Sequence, residues 1–435
     1  MSELTIGIIV TCGMLALVFA GMRVFIAAAL AGLAGMVWLV GWDAGSNIVG
    51  TVPHSKTISY TLSVLPMFVL IGFIAFHAGL TGALFKAAKA WFGWMPGGLA
   101  VASVLATAGF SAVSGSSTAT AAIFSRIAIP PMLEAGYDRR LAAGVVAAAG
   151  TLASLIPPSA ILVIYAIIVE ESVGQLIMAA FVPGIVSALV YVAVILAVCG
   201  ARPTLGPPSR SVPWKERVAT IPGTLPIIGV VGIIFSAMTF GWATPTEAGS
   251  LGAFVVLCVA LCRGMRWPAL RDALSESAKL TVVILALIWG VLIYVRFLGF
   301  SGLPAAFAQW IVSLPLPPTV VIILILLGYV VLGMFMEAIG MLLLTLPVVY
   351  PAVVALGYNP IWFGIVVVKM CEICLISPPV GLNCYVVSVM RPDIPLGDVF
   401  RGAAPFFFAE LVIVAMFLAW PEIILIVPRL FGMTP

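Results

Sequence analysis

The chain has 435 residues, 63% of them hydrophobic and 8% charged, with a mean hydropathy of +1.25. A soluble domain carries about 25% charged residues, so this composition describes an integral membrane protein of the helical kind, with apolar runs of about 20 residues recurring along its length. The formal net charge of +4 arises from scattered rather than clustered basic residues, which excludes a nucleic-acid footprint.

The first apolar run, 4–20, is preceded by Glu3 and by no basic residue, and reads as an uncleaved first span rather than a signal peptide. Nine more full crossings are expected, at 24–41, 61–79, 141–169, 174–199, 220–241, 244–262, 280–298, 361–390 and 403–420. Segments 97–126 and 318–349 differ: each has two short apolar halves around a polar or small-residue centre. Both read as re-entrant hairpins that enter and leave on one side. Ahead of each hairpin lies an amphipathic stretch, TGALFKAAKAWFGWMP (81–96) and GLPAAFAQWIVSLP (302–315). These suit helices lying flat at the interface, either as ordinary loop helices or as links between a mobile and a fixed unit.

With both termini outside, the Lys and Arg residues sort by loop. Arg23, Lys86, Lys89, Arg126, Arg139, Arg140, Arg202, Arg210, Lys215, Arg217, Arg263, Arg266, Arg271, Lys279, Arg391 and Arg401 fall on the cytoplasmic side. Lys56, Arg296 and Arg429 fall outside, and Lys369 lies inside a span. That bias follows the positive-inside rule. Reading either hairpin as a single crossing would flip every later loop and destroy it.

A shift of 221 residues superimposes the two halves without a gap. Pro130 falls on Pro351, Gly136 on Gly357, Tyr137 on Tyr358, and Pro157-Pro158 on Pro378-Pro379. The chain divides into a first repeat (1–199), a cytoplasmic linker (200–220) and a second repeat (221–435). Each repeat has an odd number of crossings, so the second is inverted in the membrane. Inverted repeats with broken helices are a secondary-transporter architecture, with the site near the midplane where the repeats meet.

The chemistry is expected at three places. The stretch SAVSGSSTATAA (111–122) sits at the first hairpin's centre. A turn at membrane depth frees N–H and C=O groups that must be buried in protein or line a polar cavity. Ser114, Ser116, Ser117, Thr118 and Thr120 add hydroxyls there. Carbonyls with hydroxyls form a hard oxygen cage suited to Na⁺, and the freed N–H groups suit a carboxylate; close helix packing by small residues is the plainer alternative. The second place is LIPPSAILVIY (155–165) and its copy ISPPVGLNCYV (376–386), where paired prolines break a crossing helix. The third is charge in the membrane, where an ionisable group costs about 2.5–3.5 kcal/mol at a helix centre and faces a cavity or a partner. Glu337 stands at the second hairpin's tip, at the position matching Ser116. Lys369 and Glu372 are one turn apart and form either a structural ion pair or a coupling pair. Glu247 and Glu410 read as structural groups near span ends. Cys371 and Cys374 form a CxxC with no matching pair, and His54 and His77 lie near span ends. The seven cysteines and two histidines therefore read as structural.

Two long motifs carry a resemblance to a known family. SAVSGSSTATAAIFSRIAIPPMLEAGYDRRLAAGVVAAAGTLASLIPPSAILVIYAI and GMFMEAIGMLLLTLPVVYPAVVALGYNPIWFGIVVVKMCEICLISPPVGLNCYVVS closely resemble the signature of the large membrane subunit (DctM-like) of tripartite ATP-independent periplasmic (TRAP) transporters. The resemblance spans nearly the whole chain. It implies an all-α, elevator-type, Na⁺-driven transporter of the bacterial inner membrane, not an enzyme. Such a subunit takes an organic acid, often a dicarboxylate or sialic acid, from a periplasmic solute-binding protein. A small four-helix membrane subunit accompanies it and, with no fused extension here, is expected as a separate chain. Two or more Na⁺ ions are implied. One would sit around Ser114, Ser116, Gly150, Thr151 and Pro157, another around Gly333, Glu337, Pro378, Gly381 and Asn383, and substrate would lie between the hairpin tips at Ser116, Ser117, Thr118, Glu337 and Asn383. Lys369 departs from the neutral polar residue expected there. The rival readings are a stand-alone ion-coupled carboxylate carrier of the citrate-transporter kind, and a membrane enzyme or structural subunit.

Overall fold

The computed structural model describes residues 1–57, 60–209, 211–334 and 336–432, with the side chains at 55–57 and 61 also outside the described set. Arg210, one of the linker cations, and residue 335 of the second hairpin lie outside the described residues, as does the side chain of Lys56.

The described residues form helices and short 3₁₀ turns, with no strand among them. Before the linker come α1 (Glu3–Phe19), α2 (Val24–Val40), α3 (Trp42–Thr57), α4 (Val64–His77), α5 (Leu80–Phe92), α6 (Gly98–Ser114), α7 (Ser117–Ile127), α8 (Ile129–Glu134), α9 (Arg139–Thr151), α10 (Ala160–Val169) and α11 (Val173–Ala201). After α11 come α12 (Trp214–Val218), α13 (Ile221–Thr239), α14 (Pro245–Cys262), α15 (Trp267–Ser301), α16 (Leu303–Ser313), α17 (Pro318–Gly333), α18 (Ala338–Ala355), α19 (Pro360–Ile376), α20 (Leu382–Met390), α21 (Leu396–Ala419) and α22 (Glu422–Leu430).

Local chemistry explains several boundaries. Asp138 opens α9 by accepting from the N–H groups of Arg140 and Leu141. Asn359, 221 residues later, opens α19 by accepting from Ile361 and Trp362. Thr244 and Glu247 form a reciprocal capping box at the start of α14, so Glu247 is a structural group at a helix end. The segments 155–159 and 377–381 interrupt α9–α10 and α19–α20 at the paired prolines, and both Pro-Pro bonds are cis.

Among the described residues, six helical stretches are long and apolar enough to cross a bilayer by themselves: α11, the α12–α13 unit, α14, α15, α18 and α21. The ten expected crossings differ from this because α1 and α2 have 17 residues each and α4 has 14, while the broken helices divide into shorter pieces. Three boundaries also differ. The second hairpin runs on to Ala355, through Pro347 and Pro351, rather than stopping at 349. Helix α3 lies between the second and third expected crossings, with Pro53 inside it. Helix α22 lies beyond the last expected crossing.

Helix α5 departs from α4 at a bend of 68°. The linker is tied to the structure above it. Gly97 N–H donates to Gly206 O at 2.9 Å, Asp138 N–H to Leu205 O at 3.0 Å, and Ser209 N–H to Gly93 O at 2.9 Å. Helices α2 and α15 pack closely, since a Cβ added at Gly32 would sit 2.8 Å from the backbone of Tyr294. Thr11 of α1 is hydrogen-bonded to Tyr294 at 2.8 Å, joining a third helix to that pair. Small residues permit such approach where apolar side chains gain nothing from leaving lipid. His77 bridges α4 to α15 through Glu276 at 3.0 Å, a structural role as its position suggests.

Candidate functional site

The two hairpins and both broken helices meet. Hairpin α6–α7 turns at Gly115, in the left-handed conformation at φ 61°. A Cβ there would sit 2.9 Å from the carbonyl oxygen of Pro158, so the tip rests against the first broken helix. Gly115→Ala is therefore expected to cost about 1–2 kcal/mol for the backbone conformation alone, read as a lowered midpoint of thermal unfolding.

Beside the tip, Ser114 Oγ and Thr120 Oγ1 share a hydrogen bond at 2.8 Å, and Ser114 Oγ lies 3.4 Å from Ser116 O. Ser117 Oγ pairs with Ser154 Oγ, and Ser159 Oγ donates to Ser154 O. Ser154 was not anticipated from sequence; its signal is a hydroxyl just before the Pro-Pro break. On the second hairpin, Glu337 stands at the N-cap of α18 as Ser116 does at α7, and neither side chain caps its own helix.

Ser114, Gly115, Ser116, Ser117 and Thr118 line one cavity together with Glu337, Ala338 and Ile339. Ala160 and Ile161 close it from the start of α10, Leu375 from the end of α19 and Leu382 from the start of α20, with Phe68, Val69, Leu280 and Ile284 forming an apolar wall. The cavity is small, about 90 Å³, and partly open to solvent. First-turn residues of α7, α10, α18 and α20 thus converge. Helix starts carry unpaired N–H groups and partial positive charge, which suits an anion.

The other sequence candidates lie around this cavity. Gly150 is buried against Ala121 of α7. Thr151 points away from the hairpin: its hydroxyl donates to Ala148 O at 2.8 Å and meets the Tyr191 hydroxyl at 3.1 Å. Pro157 is buried, whereas Pro378 is exposed. Gly333 packs on Cys374, and Gly381 faces the ring of Phe400. Asn383 is fully buried and donates from Nδ2 to Ala147 O at 3.1 Å, which keeps it on α9 rather than in the cavity lining.

Lys369 and Glu372 do pair, at 2.6 Å, and a third group joins them. Glu410 lies mid-way along α21 and is fully buried, with Oε1 at 2.9 Å and Oε2 at 2.8 Å from Lys369 Nζ. Its expected place near a span end was wrong: position 410 lies at the middle of the expected crossing 403–420 as well as within α21, where it packs against α19. Tyr191 is hydrogen-bonded to Glu410 Oε1 and sits with its ring centroid 5.8 Å from the ammonium. Nothing in residue periodicity announces a pairing 41 residues apart.

Comparison with known proteins follows the geometry. Residues 11–423 match the family described as "Tripartite ATP-independent periplasmic transporter, DctM component". The C4-dicarboxylate TRAP transporter large permease protein DctM of Pseudomonas aeruginosa is 37% identical over 377 residues, covering 86% of this chain and 88% of that protein. The sialic acid TRAP transporter large permease protein SiaM of Vibrio cholerae is 30% identical over 423 residues, covering 96% and 97%. Among solved structures, the Alcanivorax borkumensis YdaH transporter superimposes with a TM-score of 0.59 at 16% identity, covering 88% of this chain and 90% of that one. Neisseria gonorrhoeae MtrF gives 0.58 at 14% identity, covering 97% and 95%. Those two likenesses concern the fold alone, an all-α membrane-transporter fold. With the family match running from residue 11 to 423 and a relative 37% identical over most of both chains, this multi-pass membrane chain belongs to the DctM-component family of tripartite ATP-independent periplasmic transporters, and is a transporter permease rather than an enzyme.

Proposed function

We propose that the chain is the large membrane subunit of a Na⁺-coupled organic-acid importer in the bacterial inner membrane. A periplasmic solute-binding protein delivers the substrate, and a small four-helix membrane subunit completes the complex. Residues 1–199 and 221–435 act as two inverted repeats joined by the linker 200–220, with ten crossings and both termini periplasmic. The hairpins and broken helices move as an elevator against the remaining spans.

What supports this reading is the convergence of four helix starts on one cavity. Oriented N–H groups and the hydroxyls of Ser116, Ser117 and Thr118 favour a carboxylate there. Relatives named for C4-dicarboxylates and for sialic acid both carry carboxylate substrates. The donors beside the tips are hard oxygens: the Ser114 hydroxyl, the carbonyls of the 114–116 turn and of the Pro157 break, and the Glu337 carboxylate. They fit Na⁺ better than a soft metal. Gly150, Gly333, Pro378 and Gly381 would contribute through backbone, Asn383 through its free Oδ1, and Thr151 through its carbonyl, since its hydroxyl is engaged with Tyr191. A bound Na⁺ supplies positive charge that offsets Glu337 beside an anionic substrate. This chain's part is to hold the tips in register and keep lipid out with the wall of Phe68, Val69, Leu280 and Ile284.

The test is uptake into vesicles containing all three components, with a carboxylate substrate matched to the genetically adjacent binding protein. Replacing Na⁺ by choline is expected to reduce uptake to that of protein-free vesicles, and Ser116→Leu, which fills the cavity, to do the same while the protein stays folded. Unchanged uptake in choline overturns Na⁺ coupling. Uptake by this chain alone identifies a stand-alone carrier instead.

A further inference from the structure

We propose that the buried cluster of Lys369, Glu372, Glu410 and Tyr191 is a proton-binding site in which the two acids share one proton. This goes beyond the transport reading and does not depend on which ion drives uptake.

The first ground is charge. Two carboxyl groups and one ammonium are all fully buried, between α19, α21 and α11. With both acids ionised the cluster holds an uncompensated negative charge in a dry interior, which is strongly unfavourable. No other cation among the described residues is placed to offset it. On the packed helices, Arg139 and Arg140 of α9, and Arg401 of α21 itself, gather around Asp398 at the opposite end of α21. The remaining titratable side chains on the packed helices are the thiols Cys199, Cys371, Cys374 and Cys384 and the phenols Tyr165, Tyr329, Tyr350 and Tyr385, which bring no positive charge, and on α22 the exposed Arg429, which is paired with Glu422.

The second ground is a count of hydrogens. Tyr191 donates to Glu410 Oε1, and the Thr151 hydroxyl lies 3.1 Å from the Tyr191 hydroxyl, where either can donate. Lys369 Nζ donates to Glu372 Oε2 at 2.6 Å and to Glu410 Oε1 at 2.9 Å. These hydrogens reach one oxygen of each acid, too few for two buried carboxylates and enough when one of the two acids is neutral.

The third ground concerns the two free oxygens. Glu372 Oε1 and Glu410 Oε2 are buried without a hydrogen-bond partner; Oε2 lies near Lys369 Nζ, but off the hydrogen-bond direction. A free oxygen is tolerated far better on a neutral acid than on a carboxylate. The ammonium stands 2.6–2.9 Å from both acids, in the place a metal ion would take. Among the described residues, no group of three or more His, Cys, Asp and Glu is arranged to hold a metal. The missing positive charge is therefore a proton.

Infrared difference spectroscopy of the full chain in lipid nanodiscs at neutral pH tests this through the C=O stretch of a protonated carboxyl. Wild type minus Glu410→Gln is expected to show the loss of one carboxylic-acid band per chain. Glu372→Gln is expected to lose the same band, because Glu410 then ionises to pair with Lys369. Tyr191→Phe is expected to keep the band and shift it, by removing the phenol that donates to Glu410. All three results should be the same in Na⁺ and in choline. A spectrum that none of the three variants changes overturns the proposal, and so does a band that appears only when Na⁺ is withdrawn, which would place a metal cation at the cluster.

Discussion

Lys369→Met is expected to destabilise the folded protein by about 3–5 kcal/mol, the cost of removing one partner from a buried ion pair. The ammonium is the only group holding Glu372 and Glu410 together from between, at 2.6 Å and 2.9 Å. Methionine matches its length and leaves two acids facing each other with no cation. Thermal unfolding of the purified protein, followed by circular dichroism, measures the loss. Adding Glu372→Gln should recover most of it, because a single acid without a cation can take up a proton and stay neutral, with no second acid facing it. A double variant as unstable as the single would mean that the loss does not come from the two acids facing each other.

A comparable loss is expected from a single methyl group on α21. Helices α9 and α21 touch backbone to backbone. A Cβ at Gly402 would sit 1.8 Å from the carbonyl oxygen of Arg140, and one at Gly144 would sit 2.0 Å from the carbonyl carbon of Gly402. Neither obstacle is a flexible side chain, so the helices must separate along their length. Gly402→Ala is expected to cost at least the 1–3 kcal/mol typical of overpacking, and to loosen every contact further along the seam. Gly229→Ala is the matched control: nothing lies within 4 Å of the added atom, and alanine is favoured over glycine in a helix by about 1 kcal/mol. Equal unfolding midpoints for the two variants would show that α9 and α21 are not in contact.

The parts legible in the sequence were those with local causes. The hairpin turn at Gly115, the breaks at Pro157 and Pro378, the separate helix beginning at Leu80 and the pairing of Lys369 with Glu372 all follow from residues within a few positions of one another. The register of 221 placed Ser116 and Glu337 at equivalent points, and both stand at helix N-caps. What escaped has non-local or weak local causes. Glu410 meets Lys369 only because α21 packs on α19. Thr151 looked like part of the hairpin junction, yet its hydroxyl faces Tyr191, since a helical residue's direction depends on the turn it occupies. Helix α3 carries Gly45, Gly50 and Pro53, residues that argue for a loop when tertiary support is not visible. Helix α18 tolerates Pro347 and Pro351 because neighbouring helices re-satisfy the freed backbone.

Helices α9 and α21 are joined at three levels. At one end Arg139 and Arg140 grip Asp398; further along Gly144 meets Gly402; beyond that Thr151 reaches Glu410 through Tyr191. Two rods riveted at three heights can neither slide nor pivot on each other. Whatever displacement carries cargo across the bilayer must move them as one spine, and any hinge has to be sought elsewhere in the molecule.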